Sequence, residues 1–193
     1  MTIKELSKAV YEDLNGRIVS VSDEEETYRI VFECDDWESH NKPRRFVLSF
    51  FDVPEATATP SFSGGVQVTD DHPLLWNHNE EHVSLFFSSV ATNPMELMCE
   101  LYEGHSRLLD GQRKLTDYLH ADRRLLNLGH GLMAQGPRRV IEEYAKIIGD
   151  RLRYSIVQGY KPRGGYRVAL FDECFVVFRE NSVAELSIAA ATG

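Results

Sequence analysis

Residues Asn93–Gly111 read NPMELMCELYEGHSRLLDG, and they stand between two long runs of strand-like sequence. Asn93 can cap a helix. Pro94 suits the first helical position, where its missing N–H is not needed, and Glu96 lies three residues after the cap. Leu97, Met98, Leu101, Tyr102, His105 and Leu108 then follow one another at helical spacing, and Gly111 supplies a stop. This stretch predicts a helix that separates the strands before it from the strands after it.

Upstream, Thr2 and Glu5 fit a capping box, and Ile3, Leu6, Ala9, Val10 and Leu14 predict a first helix that ends at Asn15-Gly16. GRIVSVSD and TYRIVFECDD then flank the charged turn Asp23–Glu26. After the loop Trp37–Pro43 comes RRFVLSFFDV, and the three runs read as a meander of antiparallel neighbours. PEATATPSFSGG is a polar loop, VQVTD a short strand and HVSLFFSSV a longer one. Downstream, Gln112–Leu126 has a weaker helical pattern, and NLGHGLMAQGP reads as a glycine-rich connection. Val140, Ile141, Tyr144, Ile147 and Ile148 predict a helix opened by Pro137 and stopped by Gly149. RYSIVQGY, YRVALFD, CFVVFRE and VAELSIA are the remaining strands. Runs of strands segregated from helices define an α+β fold, with antiparallel sheets from the N-terminal and C-terminal strand runs and two to four helices mainly in the middle. Nothing repeats at a fixed period. Residues 1–193 are expected to form one domain, with two possible lobes meeting near Thr92.

Composition narrows the classes of function. With 42% apolar and 26% charged residues, the chain has the usage of a globular protein and not of a disordered one. No apolar run approaches the ~20 residues that span a bilayer, and the acidic N-terminus resembles neither a signal nor a transit peptide, so a cytoplasmic protein without a membrane partner is expected. Cys34, Cys99 and Cys174 are too few and too scattered for a disulfide framework; they are expected to be reduced thiols, at least two of them buried. The formal charge is −9, and residues 1–96 carry 7 Lys/Arg against 18 Asp/Glu. Such a field repels nucleic acid and attracts a basic protein surface. Asp23, Glu24, Glu25, Glu26, Asp35 and Asp36 are the candidate partner surface.

Two stretches carry candidate chemistry. Asn77–His82, NHNEEH, contains the pattern H-x-x-E-H, and seven metal-capable groups fall in the thirteen residues Asp70–His82. No cofactor is called for elsewhere, but His78, Glu81 and His82, with Asp71 or His72, would suit a divalent transition metal. The metal would activate water, with Glu80 or Glu81 as base. The pattern works only if both histidines share a helical face; on a strand, residues four apart are about 13 Å apart. HVSLFF after it reads as strand, which favours a loop. In GHGLMAQGPRR, Gly136, Arg138 and Arg139 could cradle an anion at a helix N-terminus, although basic residues oppose the helix dipole there. A basic and aromatic stretch, Arg151, Arg153, Lys161, Arg163 and Arg167 with Tyr154, Tyr160 and Tyr166, reads as the outer face of a hairpin. His105 reads as a core histidine. The leading expectation is a non-catalytic, acidic binding protein of the toxin-neutralising, immunity type. The alternatives are a metal-dependent hydrolase at His78/Glu81/His82 and a small-anion sensor at Gly136/Arg138/Arg139.

Overall fold

The computed structural model describes residues 2, 3, 5, 6, 16–36 and 42–186 of the chain, with Asp36 and Lys42 by backbone alone. Among the described residues, twelve strands form three antiparallel sheets alongside four α-helices, an α+β fold. No helix among them is long and apolar enough to cross a membrane. The chain divides into two compact units, Met1–His72 with Gly165–Gly193, and Pro73–Gly164. The division falls at those points and not at Thr92, which lies inside the second unit.

The first unit holds two sheets. One is five-stranded, built from β1 (Arg17–Glu24), β2 (Thr27–Asp36), β3 (Lys42–Phe51), β5 (Ser61–Phe62) and β12 (Glu180–Leu186), in the order β12-β3-β2-β1-β5. The other is four-stranded, built from β4 (Glu55–Ala56), β6 (Gln67–Thr69), β10 (Arg167–Phe171) and β11 (Cys174–Phe178), in the order β4-β11-β10-β6. Period-two alternation sets the register. Ile30 lies opposite Leu48, and Phe32 opposite Phe46, so the large side chains fall on one face. The second sheet offers Phe171 and Phe178 to that face, with ring centroids 6.3 Å from Phe32 and 4.9 Å from Phe50 respectively. All of these rings are buried, each contributing roughly 1.5–3 kcal/mol of apolar burial. The expected capping box is present: the Thr2 N–H donates to the Glu5 carboxylate (2.6 Å) and the Glu5 N–H to Thr2 Oγ1 (3.2 Å). Ile3 and Leu6 are buried, while Ala9, Val10, Leu14 and Asn15 lie outside the described residues, as does most of the Trp37–Pro43 loop.

The second unit is inserted between β6 and β10, which pair with each other: Thr69 lies opposite Val168 and Gln67 opposite Leu170. It contains α1 (Trp76–Asn79), β7 (His82–Phe87), α2 (Pro94–Leu109), α3 (Arg123–Leu128), β8 (Gly131–Pro137), α4 (Arg138–Ile148) and β9 (Tyr154–Gln158). The strand order is β8-β7-β9. Val83, Leu85 and Phe87 of β7 are buried in one core with Leu97 and Leu101 of α2 and with Val140, Ile141, Tyr144 and Ile148 of α4. Gly104 lets the two helices approach: a Cβ there would sit 2.2 Å from Ile147 Cδ1.

The predicted helices hold where capping and periodicity agree. Asn93 accepts the Glu96 N–H at 3.4 Å, and α2 ends at Asp110, in the left-handed region at φ 46°, just before Gly111. Tyr102, expected on the apolar face, is 61% exposed. Gln112–Leu126 is not one helix: a 3-10 turn at Leu115–Asp117 precedes α3, which Asp122 caps by accepting the Leu125 N–H at 2.8 Å. The expected connection NLGHGLMAQGP contains strand β8. The presumed basic hairpin is also divided, since β9 pairs with β7 whereas β10 pairs with β11 and β6. The cysteines are free, but of the two or more expected to be buried, Cys34 alone is; Cys174 is half-buried and Cys99 exposed.

Candidate functional site

In the second unit, the two stretches singled out from sequence meet. Helix α1 has only four residues and ends at Glu80, whose backbone is extended at φ −99°, ψ 153°. His78 therefore lies on the helix, Glu81 beyond it, and His82 at the start of β7. The single helical face that H-x-x-E-H needs does not form. Among the described residues, no three His, Cys, Asp or Glu side chains are grouped to hold a metal ion. His82 Nε2 lies 3.0 Å from the Asn77 carbonyl, and its ring stacks on Tyr160 at 4.5 Å. In the first unit, burial pushes the His72 imidazole below its ordinary pKa, against the opposing pull of Asp71.

The carboxylates of this stretch go to the arginines of the other. The Glu81 carbonyl accepts the Arg138 N–H at 2.8 Å, extending the β7–β8 ladder by one step. Arg138 then donates to the Glu81 carboxylate at 2.8 Å and to Glu142 at 3.4 Å. Arg139 pairs with Glu80 at 2.9 Å, and its guanidinium lies over the Trp76 ring at 4.8 Å. Glu80 also accepts the Arg139 N–H at 3.3 Å, so it places a negative charge at the N-terminus of α4, where Pro137 offers no capping side chain. This explains the unfavourable sequence signal of two arginines in a first helical turn: the compensating anions come from some sixty residues upstream. Gly136 does not form an anion cradle. It lies buried within β8, and a Cβ there would sit 2.5 Å from the Tyr118 ring. Glu80 and Glu81 of one stretch and Arg138 and Arg139 of the other form one ion-pair cluster that joins α1, β7 and α4.

His105 is 3% exposed and bridges α2 and α4. Its Nε2 lies 2.8 Å from the Arg113 carbonyl and its Nδ1 2.8 Å from the Tyr144 hydroxyl. A carbonyl only accepts, so Nε2 carries the proton and Nδ1 accepts from Tyr144. Burial raises the Tyr144 pKa and keeps its hydroxyl a donor. This is a satisfied core histidine, as the sequence predicts.

The first unit carries a different feature at the β1–β2 turn. Asp23, Glu25, Glu26, Thr27, Tyr28, Phe51, Asp52 and Val53 line an open groove of roughly 470 Å³. Glu24 is paired with Arg29. Asp52, at φ 52°, accepts from Arg179 (3.0 Å) and from the Tyr166 hydroxyl (3.3 Å), so it is held in place. Asp23, Glu25 and Glu26 are exposed, and no ion pair or hydrogen bond engages their carboxylates among the described residues. Phe51 is 36% exposed beside them. The Tyr28 pKa is raised, first by burial and then by Asp23. Phe51 and Tyr28 were not among the sequence candidates. The alternation of β3 carried the signal for Phe51: with Phe46, Leu48 and Phe50 inward, Phe51 points out.

The expected acidic surface is not one patch. Asp35 and Asp36 lie at the opposite end of β2, about 27 Å of strand from the turn. Asp35 borders a second concavity with Arg17, Glu33 and Phe62, while the Asp36 side chain is outside the described residues. Comparison with protein-family models, with curated proteins and with solved structures returned no match.

Proposed function

We propose that the protein is a non-catalytic binding protein that holds a basic partner in the acidic groove at the β1–β2 turn. The observation that carries this reading is the set of three carboxylates, Asp23, Glu25 and Glu26, that no ion pair or hydrogen bond engages among the described residues, beside the exposed ring of Phe51 in a groove whose described lining holds no Lys or Arg. A lysine or arginine side chain suits such a groove, its stem on the ring and its charge among the carboxylates. Charge is also concentrated in this unit, which has 9 Lys/Arg against 19 Asp/Glu, while the second unit has 12 against 11. That field steers a cationic surface toward the first unit. Neutralisation of a basic toxin, the immunity-type role, is the concrete form of this reading and rests on size and acidity. Of the alternative hydrolase and anion-sensor residues, Glu81 pairs with Arg138 and Glu80 with Arg139.

The test is calorimetric titration of the full chain with an oligo-arginine peptide at low and at physiological salt. Binding that weakens with salt and falls at least about tenfold in Asp23→Asn/Glu25→Gln/Glu26→Gln is expected, with Asp35→Asn as an unaffected control. Equal binding by the triple variant and the parent would exclude this groove.

A further inference from the structure

Strand β9 carries an unusual edge. It pairs on one side with β7, through odd-numbered residues from Arg153 to Gly159: the Arg153 carbonyl accepts the Ser88 N–H (2.8 Å), and the Gly159 N–H donates to the His82 carbonyl (3.0 Å), past which the parity shifts and the Tyr160 carbonyl accepts the His82 N–H (2.8 Å). Alternation then turns the N–H and C=O groups of Tyr154, Ile156 and Gln158 away from β7. No hydrogen bond engages them among the described residues. The other sheet edges are blunted. Strands β4, β5 and β6 are two or three residues long, and β12 carries Glu180 and Glu185. The far end of β1 carries Asp23 and Glu24. Strand β8 is covered, because its Gln135 N–H donates to the Tyr118 carbonyl and its Met133 carbonyl accepts from His120 and Ala121. Residues Tyr154–Tyr160, by contrast, contain no charge and no proline. An uncharged edge that no described residue covers is a template for another strand.

We infer that β9 pairs with β9 of a second copy of this chain, antiparallel about a two-fold axis at Ile156. Three features favour a second copy over a foreign strand. The outward-facing set Tyr154, Ile156 and Gln158 is self-complementary: Ile156 meets Ile156 and Tyr154 meets Gln158, so every outward group finds a partner in one register. The unit that carries the edge is close to neutral, so copies of a chain of net charge −9 approach here with least repulsion. On the opposite face of the sheet, Val157 (49% exposed) comes to lie beside Ser155 of the second copy and close to Phe86 (40% exposed), which covers apolar surface left open in one copy. The product is a continuous six-stranded sheet with a closed, isologous interface. This surface lies on the second unit and is independent of the acidic groove.

Sedimentation equilibrium of the full chain, up to roughly 100 µM, tests the inference. The expected result is a reversible dimer of the 22.0 kDa chain, with the amides of Ile156 and Gln158 exchanging more slowly as concentration rises. Gln158→Pro removes an outward donor and no bond to β7, and is expected to weaken the dimer at least about tenfold. Ser155→Lys/Val157→Lys sets lysine against lysine across the axis and is expected to give monomers with unchanged far-UV circular dichroism. A chain that stays monomeric throughout the range overturns the inference. So does a dimer that either folded variant leaves unaltered.

Discussion

Glu33 shows how single residues are placed by parity along a strand. It points away from the core of the first unit, yet it is 8% exposed, because Arg17 and Arg45 reach over it from the two neighbouring strands. All three stand in one cross-strand row, Arg17 opposite Glu33 and Glu33 opposite Arg45. The hydrogen bonds from Arg45, then those from Arg17, hold the Glu33 carboxyl below the usual carboxylate range. A carboxyl with a depressed folded pKa adds stability above its unfolded pKa, and that stability is lost as pH falls through the folded value. Glu33→Gln is therefore expected to cost about 1–2 kcal/mol at neutral pH and almost nothing in acid, measured by urea denaturation at both. Tyr144→Phe leaves His105 Nδ1 without its donor in a buried site, with an expected loss of about 1–2 kcal/mol in the same measurement. The burial of His105 was legible from its place on the helical face. Its two partners were not, since Tyr144 lies 39 residues away and Arg113 lies beyond the helix end.

At the scale of elements, strong local signals and weak ones had different fates. Helix α2 carries its cap, its proline and its stop in its own sequence, so it is legible without the fold. Strand β8 does not: Gly131, Gly136 and Pro137 are poor strand formers, and its pairing with β7 from His82–Pro137 to Phe87–Gly131 is what makes it a strand. The N-terminus of α4 depends on that same pairing, because the ladder brings Glu80 and Glu81 to Arg139 and Arg138. Glu80→Gln/Glu81→Gln is expected to lower the melting temperature by the equivalent of about 0.5–1 kcal/mol at low salt, and by less as salt is added. A loss that does not shrink with salt would show that packing, not charge, holds the cluster.

At the scale of the whole molecule, the insertion has a consequence for folding. Among the described residues, the buried core of the second unit runs from Trp76 to Leu152, with Ile156 packed against it, and that of the first is built from residues on both sides of it. The fragment Pro73–Gly164 is expected to fold by itself, with a cooperative thermal transition in circular dichroism; a non-cooperative, largely disordered fragment would contradict this. The chain Met1–His72 joined to Gly165–Gly193 through a short Gly/Ser link should likewise keep the β6–β10 pairing.

The sequence by itself determined the α+β class, the helices that carry their own caps and periodicity, nearly all the long strands, and the acidity of the first half. These follow from interactions between residues a few positions apart, which composition and spacing record directly. The tertiary structure alone decided that β6 pairs with β10 across an insertion, that a glycine-rich connection is a strand, and that NHNEEH and GPRR neutralise each other. It also decided that the acidic residues divide between the two ends of β2. Each of these rests on partners dozens of residues apart. Strand pairing and ion pairing are chosen by three-dimensional proximity, and local sequence leaves that proximity open.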